Sequence, residues 1–375
     1  MKDTRLNKLA KVLVNYSTKV KPGDFVFISG DIAIEPWVVE VAKEAVRAGA
    51  HVETSMSSQN VTEAILKNAT DEQLMQEGTI NKVVMEKADV WLSAWGGTNT
   101  KSFSNISGEK FKLRAQGNKK SQEIYLKRIG DGSLRWCGTM FPTVSDAQEA
   151  AMSLEEYEDF VYGAGLVESD DPAEEWRKIS EKQERWVKYL DTKKEIHFIA
   201  EGTDITAKVQ GRKWINCDGK LNFPDGEIFT SPIEDSLNGY ITFTYPSIYM
   251  GQEVEGIKLE VKGGKVVKWE AEKGYELLDA LIKTDEGASY FGEVAIGTNY
   301  GIKRFTKNIL FDEKIGGSIH MAIGNSLDQA GGKNKSAIHW DMICDMKTNG
   351  KIYADEELFY ENGYFKDEIL EKYGL

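Results

Sequence analysis

The 375-residue sequence predicts two domains, a Rossmann-like α/β domain over residues 1–192 and a β-rich α+β domain over residues 193–375. Three observations lead there. Near the start, strand, helix and strand follow one another within about thirty residues, the signature of a parallel βαβ unit. Beyond Asp191 to Glu195 the apolar period changes from helical to alternating. The chain is long enough for two ordinary domains, and 41% hydrophobic residues can give each a core.

Taken in order, Leu6, Leu9, Ala10 and Leu13 recur at i, i+3, i+4 and i+7, an amphipathic helix that stops before Pro22-Gly23. Phe25 to Ser29 reads as a buried strand. Val38, Val41, Ala42 and Ala45 repeat the helical spacing up to Gly49, and HVETSM, DVWLSAW and LRWCGTMF supply further strands. The Gly96-Gly97 pair leaves a strand without G-x-G-x-x-G or the Walker pattern, so no nucleotide is expected. Ser153 and Glu156 form a capping box, and Asp171-Pro172 opens a second long helix. Its Trp176, Ile179, Gln183, Trp186 and Leu190 make a stripe suited to a core or an interdomain seam. In the second half EIHFIAEG, DITAKVQG and RKWINCDG are short strands. A hairpin turns at Gly263-Gly264, Tyr275 to Glu286 is a helix, and Asn349-Gly350 marks a late hairpin turn.

A net charge of −13 and a pI near 5.1 argue against nucleic acid or an anionic membrane as partner. Three scattered cysteines make no disulfide framework and fit a reducing cytoplasm. The N-terminus threads charges through its apolar residues, and no run reaches the roughly eighteen apolar residues of a spanning helix, so a soluble, unexported chain is expected.

The chemistry concentrates between Gly316 and Met346. Two of the four histidines lie there, His320 and His339, the second in His339-Trp340-Asp341. In a strand, residues two apart share a face, so H-x-D offers an imidazole and a carboxylate side by side. Two upstream acids have suggestive settings, Glu227 in NFPDGEIFTSP and Glu293 in YFGEVAIGTN. His51 and His197 sit in strands with no acidic partner in register and read as structural.

These segments together resemble the metal-dependent aminopeptidases typified by aminopeptidase T and aminopeptidase S. That family runs through a Glu after an N-x-P turn, a Glu opening a G-E-V-A strand, a His in a C-H-x-A-x-G-like segment, and a final H-x-D. Glu227, Glu293, His320, His339 and Asp341 occupy those places in that order. The likeness extends to VNYSTKVKPGDFVFISG, AVRAGAHVET and the stretch from MFPTVSDAQEAAM to DDPAEEW, and so covers nearly the whole chain. It implies a homodimeric metalloaminopeptidase acting on peptides with a free N-terminus. It also implies two divalent ions held by those five residues. Glu293 is the residue expected closest to both ions. A mixed His/carboxylate set suits Zn²⁺, Co²⁺ or Mn²⁺ without choosing among them. The general base is left open between a shifting ligand carboxylate, Asp225 and Asp312. One departure stands out: Leu327 occupies the place of a site-lining tyrosine, and Ser326, Asn325 or Tyr300 is expected to take over its hydrogen-bond donation. A dinuclear hydrolase of another amide or ester, and a weakened metal-stabilised binding protein, are the alternative readings.

Overall fold

The computed structural model describes residues 3–249 and 251–375. The chain forms two compact units, Met1–Glu175 with Gly219–Pro224, and Trp176–Asp218 with Asp225–Leu375.

In the first unit β1 (Phe25–Asp31), β2 (His51–Ser57), β3 (Val90–Trp95) and β4 (Arg135–Met140) form a parallel sheet in the order β2-β1-β3-β4. Asn222–Phe223 pairs in parallel with β4 at the far edge. Apolar residues on both sides of β1, β3 and β4 require helices as cover, whereas the edge strand β2 is largely exposed. The helix Glu35–Arg47 supplies part of that cover through Val38, Val41 and Ala45, all buried. Leu6, Leu9, Ala10 and Leu13 are buried as their spacing predicts, although the helix passes at Val12 into a π-helical segment ending at Ser17. Ser153 and Glu156 make both bonds of the capping box, and Asp171 accepts from the Glu174 amide at 3.0 Å. The α/β class is as expected.

The second unit holds two large antiparallel sheets and a two-stranded one, Ser247–Tyr249 with Gln252–Val254. Eight strands run in the order Lys265–Glu270, Lys258–Lys262, Asn238–Thr242, Thr203–Lys208, Glu195–Ala200, Lys351–Ala354, Glu357–Glu361 and Tyr364–Phe365. Five run in the order His339–Asp345, Ser318–Gly324, Phe291–Gly297, Glu227–Thr230 and Ile215–Cys217. One core serves both, with Phe198, Ile205, Ile241 and Leu259 from the larger sheet and Ile228, Val294, Ile296, Ile319 and Met321 from the smaller. From Trp176 onward the helix Pro172–Leu190 belongs to this unit, and its Trp186 and Leu190 enter that core. Among the described residues no helix is long and apolar enough to cross a membrane.

Two local expectations need correction. The helix from Tyr275 ends at Ile282, because the Asp285 carboxylate accepts from the Ala288 and Ala337 amides and the Ser336 hydroxyl and so turns the chain into a loop. Asn349-Gly350 does turn, with Asn349 at φ +56°, yet it closes no hairpin. The strand before it pairs with Ser318–Gly324, and the strand after it pairs with Glu195–Ala200 in the other sheet. A turn signal records a change of direction and not the next partner.

Trp186 packs against Phe365, Tyr189 and Phe359 at centroid distances of 4.7, 5.6 and 5.8 Å. Trp186→Ala removes a fully buried indole between helix and sheet and is expected to cost about 3–5 kcal/mol. Denaturant unfolding followed by far-ultraviolet circular dichroism checks this; a midpoint shift under about 1 kcal/mol contradicts the packing role.

Candidate metal centre

The period of two places the donors. Antiparallel register sets His339 opposite Gly324, Asp341 opposite Ala322, Glu293 opposite Ala322, and His320 opposite Ala295. Glu227 lies opposite Gly297, two pairs along from Ala295 opposite Phe229. Directly opposed residues share a face, so Glu227, Glu293, His320, His339 and Asp341 all stand on one face of the five-stranded sheet. Their register partners on that face, Ala295, Gly297, Ala322 and Gly324, are small and leave room between the polar groups. The alternate residues Ile228, Val294, Ile296, Ile319, Met321, Trp340 and Met342 go to the core.

Local backbone features aim two of the acids. Gly226 has φ +118°, and a Cβ there would come 2.7 Å from the Asn299 Cβ, so only glycine makes the close turn that delivers Glu227 to its strand. The Glu293 strand has a register shift between Phe291 and Glu293, a bulge of the kind that re-aims a side chain. Gly292 in that bulge presses on the Asn325 carbonyl, 2.2 Å from where its Cβ would be. The same carbonyl lies 2.7 Å from His339 Nδ1, which turns Nε2 toward the carboxylates. From the long helix, buried Gln183 donates through Nε2 to the Glu227 carbonyl at 3.2 Å and the Cys217 carbonyl at 2.9 Å, and accepts at Oε1 from the Thr298 hydroxyl at 2.7 Å.

The side chains converge. His320 Nε2 is 3.1 Å from Glu227 Oε2 and 3.4 Å from Glu293 Oε1. His339 Nε2 is 3.2 Å from Glu293 Oε2 and 3.5 Å from Asp341 Oδ2. Each oxygen of Glu293 therefore faces a different imidazole. Burial opposes a charge on either imidazole, yet Glu227 and Glu293 hold His320 well above its ordinary pKa, and Asp341 with Glu293 pushes His339 up to about 12. Burial likewise works to raise Glu227 and Asp341. Lys314 with His320 overrides it for Glu227, His339 overrides it for Asp341, and both carboxyls lie below their usual range.

Glu313 is a residue that sequence reasoning missed. Its carboxylate, His320 and Asp341 offer ligand atoms all within 4.8 Å of one another, as do Glu227/Glu293/His320 and Glu293/His339/Asp341. Burial pushes Glu313 up to about 8. It sits on a turn after the short helix Ile309–Asp312, outside any strand, so no period points to it. His51 and His197 stay outside the cluster and, as expected, neither has an acidic residue directly opposite, yet each meets one off register. His197 Nε2 is 2.7 Å from Asp204 and His51 Nε2 is 3.5 Å from Glu53. Asp204 reaches His197 diagonally across a strand pair, a contact that direct opposition does not reveal.

Residues 2–365 match the family described as Thermophilic metalloprotease (M29). The chain belongs to the M29 family. Its curated relatives include aminopeptidase 2 of Geobacillus stearothermophilus, 27% identical over 86% of this chain and 84% of that one. Aminopeptidase AmpS of Bacillus subtilis is 26% identical over 96% and 98%. The solved structure of wild-type AmpT from Thermus thermophilus superposes with a TM-score of 0.84 at 22% identity, covering 96% of this chain and 99% of that one, which shows a shared fold. M29 membership makes the chain a metalloprotease, and its donor set fits a divalent cation: hard oxygens and imidazoles drawn together by register. The buried atoms His320 Nδ1 and Asp341 Oδ1 have no hydrogen-bond partner.

Leu327 is half-buried against Phe229, Ala295 and Ala330. Its amide donates to the Ser231 hydroxyl at 3.1 Å, which in turn donates to the Gly292 carbonyl at 2.7 Å. Of the residues expected to take over the tyrosine's donation, Tyr300 is committed elsewhere: its hydroxyl donates to the Gly363 carbonyl at 2.9 Å and its ring stacks on Tyr364. Asn325 Nδ2 donates to the Ser326 carbonyl, whereas the buried Ser326 hydroxyl has no hydrogen-bond partner. Leu327→Tyr overfills the apolar cluster and is expected to cost about 1–3 kcal/mol of stability without raising turnover. Denaturant midpoints and steady-state kinetics check it; a large gain in turnover would show a missing donor.

Proposed function

We propose that this M29 protein is an aminopeptidase that holds two divalent ions on the open face of its five-stranded sheet and hydrolyses the N-terminal bond of peptides with a free α-amine. The observation that supports two ions is the placement of Glu293, whose oxygens face His320 and His339 separately. In this reading Glu227, His320 and Glu293 hold one ion, and His339, Asp341 and Glu293 hold the other. Glu313 adds a carboxylate beside His320 and Asp341. When bound, such ions polarise a scissile carbonyl and bring the pKa of water toward neutrality.

The chain's own groups do the rest. Asn325 and Gln183 hold the His339 ring and the Glu227 backbone in place, so donor geometry is set before substrate arrives. The carboxylates attract the substrate's ammonium and repel a C-terminal carboxylate, which selects for a free N-terminus. Of the two acids considered as general base, Asp312 accepts at one oxygen from the Thr306 amide and hydroxyl, while Asp225 groups with Cys217 and Glu227. Asp225 is therefore the better placed. The reading includes Zn²⁺, Co²⁺ or Mn²⁺ as the ion and a homodimer in the cytoplasm, where Cys137, Cys217 and Cys344 stay reduced.

A leucyl arylamide is expected to be cleaved with added Co²⁺, Zn²⁺ or Mn²⁺, to resist cleavage with chelator, and to resist it when N-acetylated. Equal rates on the free and acetylated substrates would leave a broader amide hydrolase. Elemental analysis of the reconstituted protein is expected to find two ions per chain. Glu293→Gln should lose both and nearly all turnover, whereas His339→Ala should keep the ion beside His320. Wild-type metal content in Glu293→Gln removes the bridging role.

A further inference from the structure

A lysine lies inside the acidic cluster. The Lys314 side chain is fully buried, its ammonium ion-paired with Glu313 Oε1 and 3.9 Å from Glu227 Oε1, while Glu227 Oε2 faces His320. The ammonium lies in the field of the Glu313, Glu227 and Asp225 carboxylates. Cys217, Asp225 and Glu227 form a further group whose ligand atoms are all within 4.8 Å of one another.

Charge decides what such a lysine does. Glu227, Glu293, Glu313, Asp341 and Asp225 bring five carboxyl groups into the overlapping groups, and with Glu313 ionised against Lys314 and bound cations they carry five negative charges. Two divalent ions return four, and buried charge left uncompensated is strongly destabilising. Lys314 is the fifth positive charge. We propose that Lys314 is a positioning residue that acts as a built-in monovalent cation of the centre: it neutralises the Glu313–Asp225 side, reserves one oxygen of Glu227 for itself and the other for the ion beside His320, and limits the centre to two ions. This rests on the two-ion reading above.

The consequence is a measurable trade of affinity against number. The metal-free full chain is titrated with Mn²⁺ by calorimetry as wild type, Lys314→Met, Asp225→Asn and the double variant. Removing the positive charge 3.9 Å from Glu227 Oε1 should tighten Mn²⁺ in Lys314→Met by about tenfold or more, with additional Mn²⁺ taken up at high concentration. Asp225→Asn should weaken it, and the double variant, with charge restored, should return to within about threefold of wild type. Lys314→Met binding no tighter than wild type, or a double variant that fails to compensate, overturns the proposal. Should Lys314→Met alone not fold, Asp225→Asn and the charge-balanced double variant still decide: a double variant that does not fold, or does not bind like wild type, overturns it. If wild type binds fewer than two Mn²⁺, the two-ion reading fails whatever the variants do. If wild type binds two and Lys314→Met is unchanged, only the lysine's role fails.

Discussion

The second unit is organised around a repulsion. Several carboxylates share one largely buried sheet face, and like charges so placed cannot all remain ionised without positive partners. The cationic groups among them offset that cost. Two imidazoles stand between the acids, Lys314 lies along Glu227 and Glu313, and small residues keep the face open. A divalent cation is the natural completion of such a set, since it satisfies several oxygens at once where a proton satisfies one.

The same strands make this affordable. Alternate residues of the Glu293 and His320 strands are Val294, Ile296, Ile319, Met321 and Ile323, all buried in the core shared with the larger sheet. A slip of one residue in register would send every donor into that core and every apolar group into the centre. The candidate centre and the core thus depend on one register, and the bulge at Gly292 is the adjustment that fits Glu293 to its imidazoles within it.

Rigidity comes from beyond the face. The Asn325 carbonyl meets both Gly292 and His339, and Ser231 links the Gly292 carbonyl to the Leu327 amide. Leu327 belongs to this brace by its backbone and to an apolar cluster by its side chain. A leucine there leaves the brace whole, because the brace needs only its amide.

The sequence by itself determined the fold class, the buried faces of the first helices, the capping box at Ser153 and the five donors Glu227, Glu293, His320, His339 and Asp341 as candidates. Periodicity and caps are local, so they survive in a one-dimensional reading; the donors were read partly from a resemblance that their order and flanking residues carry. Only the tertiary structure decided that the donors share a face, that Glu293 stands between the two imidazoles, and that Glu313 and Lys314 join them. It also decided that the strand after Asn349 joins the other sheet and that His197 meets Asp204. Each of these depends on strand pairing or on a turn's path between residues distant in sequence. Pairing is chosen by the burial of whole faces, and no short stretch of sequence contains that information.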